Sequence, residues 1–80
     1  MDEVLNSLKM QIKLTRERIV RENKKLKDRS ANLNNDLSGA SIKASVDFMK
    51  NNMDHLVEAS TKLAQLEEVY SMLMYEKKQK

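Results

Sequence analysis

The residues best placed to do chemistry in this chain are cations. Between Lys9 and Arg29 nine basic residues stand against Glu17, Glu22 and Asp28, a local balance of +6. Lysines and arginines spaced along a helix can neutralise successive phosphates of a nucleic acid, which makes Arg16, Arg18, Arg21, Lys24, Lys25 and Lys27 candidate nucleic-acid contacts. The stretch holds no aromatic ring on which a base could stack. Its acids instead fall at i,i+4 spacing, Glu17 with Arg21 and Lys24 with Asp28, the pattern of a solvated face laced with ion pairs. His55 is the only histidine. Its neighbours at i±4, Asn51 and Ala59, offer no second metal ligand, and Glu58 could at most accept a hydrogen bond from it, so a solvated surface position is expected. One glycine cannot build a phosphate-cradling loop or a nucleophile elbow. Carboxylate pairs such as Glu67-Glu68 and Asp54-Glu58 belong to open helix surface, where nothing raises their pKa for acid catalysis. The expectation is no catalytic residue, no cofactor, no metal and no small-molecule substrate.

The elements that carry these groups follow from composition. The 80 residues have a net charge of +3, 40% hydrophobic and 34% charged side chains, no proline, no cysteine and three aromatic residues. That is too apolar for a disordered tail and too short for an ample core, so one small all-α domain spanning 1–80 that leans on a partner is expected. Without cysteine no disulfide framework or thiolate chemistry is available. The acidic start, Met1-Asp2-Glu3-Val4, leads into no apolar run, and no segment approaches a membrane span of about 18 apolar residues. A cytoplasmic location is expected, with export by a route independent of signal peptides left open.

Turn-forming residues cluster once, from Asn32 to Gly39. Asn34 or Asn35 could close a helix in the left-handed conformation, and Asp36, Ser38 or Ser41 could cap the next. The spacing predicts a two-helix antiparallel hairpin with helices over about 3–33 and 40–77 and a turn over 34–39. One unbroken helix that tolerates Gly39 at a cost of about 1 kcal/mol is the alternative.

In the first half Leu5, Ile12, Ile19, Leu26 and Leu33 recur every seven residues, one position of a coiled-coil seam. The companion position holds Leu8, Thr15, Glu22 and Arg29, so the stripe is narrow, supplemented by Val4 and Val20. In the second half Val46, Met49, Met53, Leu56, Ala59, Leu63, Leu66, Tyr70 and Leu73 keep 3-and-4 spacing, widened by Val57, Ala64, Val69 and Met74. Its apolar arc is broader than the first helix can cover. A second pair of helices is therefore expected, from another copy or a different chain, assembling into a four-helix bundle. The expected partner-binding residues are Val46, Met49, Met53, Leu56, Leu63, Leu66, Tyr70 and Leu73, with Leu5, Ile12, Ile19, Leu26 and Leu33 facing them. Met49 and Met53 are expected in the core, Met72 and Met74 equally in core or partner surface. Charge sorts by helix, since residues 47–68 carry five acids against Lys50 and Lys62, and opposite signs favour docking of the two halves.

Leu37-Ser38-Gly39 at the turn, Ala44 shortly after it and Phe48 on the expected inward face of the second helix give the chain a resemblance. It resembles the Trp-x-Gly family of early-secreted-antigen-like hairpins associated with type VII secretion. Leu37 stands where that family has Trp. The family's C-terminal Tyr-x-x-x-Asp/Glu signal has no match, since Met74 follows Tyr70 and Gln79 follows Tyr75 at that spacing. The resemblance implies a hairpin that pairs into a four-helix bundle, and its departures favour an accessory hairpin escorting a larger secreted protein over a secreted substrate. The layout is also similar to small export chaperones of type III secretion and, for the nucleic-acid alternative, to RNA-binding hairpins of the Rop kind. The resulting expectation is a non-enzymatic interaction module acting as a chaperone, adaptor or complex subunit, with a basic-helix nucleic-acid binder as the alternative.

Overall fold

A computed structural model of the chain describes residues 2–33, 35 and 37–79. They form two helices, α1 (Asp2–Asn32) and α2 (Gly39–Gln79), packed as an antiparallel hairpin with no strand among the described residues. Each helix is signed by its ends: Asp2 and Glu3 lie in the first turn of α1, Arg29 in its last, and Lys77 and Lys78 in the last turn of α2. All but the first turn of α2 thus carry the charge that favours the local end of the helix dipole.

Among the described residues the break between the helices is marked by hydrogen bonding, with none of them in the left-handed conformation. At the end of α1 the Leu33 amide donates to the Arg29 carbonyl at 3.2 Å and the Asn35 amide to the Asn32 carbonyl at 3.1 Å, which tightens the last turn. No described residue has a positive φ, so Asn35 does not close the helix in the expected way. Asn34 and the candidate cap Asp36 lie outside the described residues. Ser38 is the cap of α2: its Oγ accepts from the Ser41 amide at 3.3 Å and its carbonyl from the Ile42 amide at 3.0 Å. Gly39 has an ordinary φ, and a Cβ built there would meet nothing within 4 Å. The turn needs Ser38; it does not need the glycine.

Cross-helix pairs set the register. Asp2 meets Lys77, Arg16 meets Glu67, Arg18 meets Glu58 and Glu22 meets Asn52. At 1.5 Å per residue the 31 residues of α1 span about 46 Å and the 41 of α2 about 61 Å. With Asp2 level with Lys77, the excess of α2 lies at the turn end, so its first two turns run past the last turn of α1. There Leu33, Ile42 and Val46 are half-buried. The outline is 63 × 14 × 14 Å with a radius of gyration of 18.1 Å, where a compact chain of this length would have about 12 Å.

A rod two helices thick has a seam but no centre. The buried hydrophobic residues are Leu5, Ile12 and Ala59, and no large side chain is fully buried among the described residues. On α2 the buried line repeats every seven residues in two tracks, half-buried Ile42, Met49, Leu56, Leu63 and Tyr70 beside Ser45, Asn52, Ala59, Leu66 and Leu73, of which Ala59 alone is fully enclosed. Several residues expected to widen the stripes face outward instead. Val4 and Val20 on α1, and Met53, Val57 and Val69 on α2, are all exposed, as is Ala64, whereas Met74 is half-buried. Met53 falls one position off the heptad, which turns a residue expected in the core to the flank.

Candidate interaction surface

The heptad decides what enters the seam more strongly than hydrophobicity does. Thr15 and Glu22, which seemed to spoil the α1 stripe, are 6% and 8% exposed, as enclosed as Ile12. Each is satisfied locally. Thr15 Oγ1 donates to the Gln11 carbonyl at 2.7 Å, one turn back along its own helix. The Asn52 amide nitrogen donates to Glu22 Oε2 at 2.7 Å across the seam, with His55 Nδ1 at 3.7 Å from the same oxygen and Lys25 Nζ at 3.5 Å from Oε1. No buried side-chain nitrogen or oxygen among the described residues lacks a partner. His55 therefore stands half-buried against a carboxylate of the other helix rather than solvated on the surface. One histidine and one carboxylate are short of a ligand set, and no group of three or more metal-binding side chains occurs among the described residues.

The Glu22 carboxyl is held below its ordinary pKa of 4.5, first by the Asn52 hydrogen bond and then by the charges of Lys25 and His55; burial pushes the other way and is outweighed by these together. Asp2 is likewise lowered, by its 2.8 Å hydrogen bond and ion pair with Lys77. A lowered folded-state pKa means that Glu22 contributes stability above the unfolded value of about 4.5 and loses it as pH falls through the lower folded value. Acidification below pH 4.5 should therefore lower the melting temperature of the native chain more than that of Glu22→Gln, which keeps an oxygen for Asn52 but has no charge to lose. Parallel melting curves measured by circular dichroism from neutral pH into the acid range check this, and superimposable pH profiles would show that the seam carboxylate contributes nothing.

The basic residues of α1 do not form one stripe. Arg16 pairs with Glu67 at 3.2 Å, Arg18 with Glu58 at 3.7 Å and Lys25 with Glu22 at 3.5 Å. The expected i,i+4 pairs Glu17–Arg21 and Lys24–Asp28 are not among the ion pairs of the described residues; Lys25–Glu22, at i,i+3, is the intrahelical one. Arg29 has turned toward the seam, its guanidinium carbon 4.2 Å above the centre of the Phe48 ring. Phe48, expected on the inward face, is 51% exposed beneath it, and Leu37 of the turn is 73% exposed.

On one flank of the seam a shallow groove runs between the helices. Lys9, Lys13, Arg16 and Arg21 edge it, Ile12, Val20 and Tyr70 supply its apolar surface, and Glu17 and Glu67 are its acids. Tyr70 brings to the basic stretch the aromatic ring that α1 lacks, something its position 54 residues from Arg16 hides in the sequence. Steps of seven back from Glu67 place Ser60 and Met53 on the same flank, with exposed Val57 between them, one turn from Met53. Of the expected partner-binding residues, Val46, Met49, Leu56, Leu63, Leu66, Tyr70 and Leu73 are half-buried in the seam of the hairpin itself, and Met53 is exposed. Their expected counterparts, buried Leu5 and Ile12 and half-buried Ile19, Leu26 and Leu33, line the same seam from α1.

The large apolar side chains that remain exposed include Met10 and Leu14 on α1, Met53 and Val57 at mid-length of α2, and Val69, Met72 and Tyr75 toward its end. No described helix is long and apolar enough to cross a membrane. No family model, curated protein or solved structure matches the chain.

Proposed function

We propose that this hairpin is a non-enzymatic protein–protein interaction module that completes its core by taking up further helices from another chain, as an escort, adaptor or complex subunit. The observation that carries the reading is the imbalance of burial. Among the described residues three hydrophobic ones are buried, while eleven large ones, Met53 and Val57 among them, stay at least 46% exposed. Two packed helices leave each other's outer flanks uncovered, and a four-helix arrangement is the simplest closure. The turn residues that resemble the type VII secretion hairpins support a place in bacterial protein export, in which the hairpin is made in the cytoplasm and leaves, if at all, with a larger partner. A second reading, nucleic-acid binding, is favoured by one observation, the Tyr70 ring beside Lys9, Lys13 and Arg16. Against it, Arg16, Arg18 and Lys25 are engaged by carboxylates of the chain itself.

The test uses the exposed pair Met53 and Val57. Changing both to Glu should leave the helicity of the isolated chain intact and remove the protein that co-purifies with it from its native cell. A native chain that melts cooperatively at a temperature independent of its concentration, and that brings down no second protein, would overturn the reading.

A further inference from the structure

Resting on that reading, we infer that the groove edged by Lys9, Lys13 and Arg21 receives an acidic amphipathic helix of a different protein. Its apolar surface is Ile12, Val20 and Tyr70. Three features define the occupant. The first is charge. Of the four cations at the groove, Arg16 alone is matched by a carboxylate, Glu67 at 3.2 Å, while Lys9, Lys13 and Arg21 make no ion pair among the described residues. The groove also contains the acid Glu17, which makes no ion pair among the described residues; four cations against Glu17 and Glu67 leave two positive charges in excess, and a cationic occupant would be rejected there. The second is shape. From Lys9 to Arg21 the groove follows α1 for about 18 Å, or some three and a half helical turns, along the cleft between two antiparallel helices. A third helix laid into such a cleft packs ridges into grooves and contributes apolar residues at i, i+3, i+4 and i+7. The third is continuity. Met53 and Val57 extend the same flank toward the turn, so an occupant longer than the groove continues onto apolar surface.

A second copy of this chain is a poorer occupant. Its one acidic stretch, residues 47–68, offers Met53 and Val57 as an exposed apolar pair at helical spacing, with Phe48 set apart beneath Arg29 and Lys50 and Lys62 interleaved. That is one turn of apolar surface for a cleft more than three turns long, and it brings cations toward cations. A nucleic acid meets the charge but not the apolar surface, since phosphate contacts gain nothing from Ile12 and Val20.

The experiment uses the full chain and a synthetic helix of about three heptads, with Leu at 3-and-4 spacing and Glu elsewhere, against the same peptide with Lys in place of Glu. Fluorescence anisotropy should show the acidic peptide bound at least about tenfold more tightly than the basic one, with affinity falling as salt rises. Lys13→Glu together with Arg21→Glu should weaken the acidic peptide about tenfold or more, whereas Lys24→Glu, outside the groove, should leave it within about twofold. Equal binding of both peptides, or indifference to the paired reversal, would overturn the inference. So would self-association of the native chain that the paired reversal abolishes, which assigns the groove to a second copy, or tight binding of a DNA or RNA duplex lost in the same variant, which assigns it to phosphates. If the paired reversal leaves intact a complex that Met53→Glu with Val57→Glu destroys, the groove assignment fails and the interaction module stands; if neither variant affects any assembly, both fail.

Discussion

Ile12→Asp should unfold the hairpin. Ile12 is 8% exposed in the seam, so a carboxylate there would be enclosed between the helices or would force them apart to reach water and the groove-edge cations Lys9 and Arg16. Either outcome costs about 3 kcal/mol or more, which is most of the stability that an 80-residue chain with so little closed core can hold. Far-ultraviolet circular dichroism at 25 °C should show most of the helical signal gone. Met10→Asp, two residues away on the same helix but 54% exposed, should change stability by no more than about 0.5 kcal/mol. Equal melting temperatures for the two variants would mean that Ile12 is not in the seam.

The second large effect lies opposite, on α2. Ala59 is 0% exposed, the most enclosed residue described, and a methyl group there lets the two backbones approach. Ala59→Leu adds three carbons where no room exists and should destabilise by about 1–3 kcal/mol, in spite of the good helix propensity of Leu. The thermal midpoint should fall, and the loss should exceed that of Ala64→Leu, a change of the same size at an exposed position. A rise in midpoint at Ala59→Leu would show that the helices leave space at this level.

Much of this architecture is legible in the sequence because helices announce themselves locally. The seven-residue recurrence from Leu5 to Leu33 and the Ser38-Gly39 break place both helices to within two residues of their observed ends. Pairing across the seam is another matter. Asn52, His55 and Phe48 lie 30, 33 and 19 residues from the groups they meet, and nothing near Glu22 or Arg29 in the chain says that those polar residues point inward. The signal that would have found the polar layer is geometric: Ser45, Asn52, Ala59, Leu66 and Leu73 share one heptad track, and reading Asn52 by its neighbours in that track rather than by its polarity puts it in the seam. The same track excludes Met53 and Val57, which a looser 3-and-4 count admits. The basic groove was half visible, since its cations are contiguous on α1 while its tyrosine comes from the far end of α2.

The length of the rod bears on how the molecule moves. An outline of 63 × 14 × 14 Å drags on water more than a sphere of equal mass and tumbles at different rates about its long and short axes. A single hairpin will therefore show a Stokes radius belonging to a heavier globular protein, and will leave a sizing column early enough to pass for an assembly. A second rod laid alongside would add mass and girth but little length, so joining two hairpins should shift that elution far less than a doubling of mass suggests.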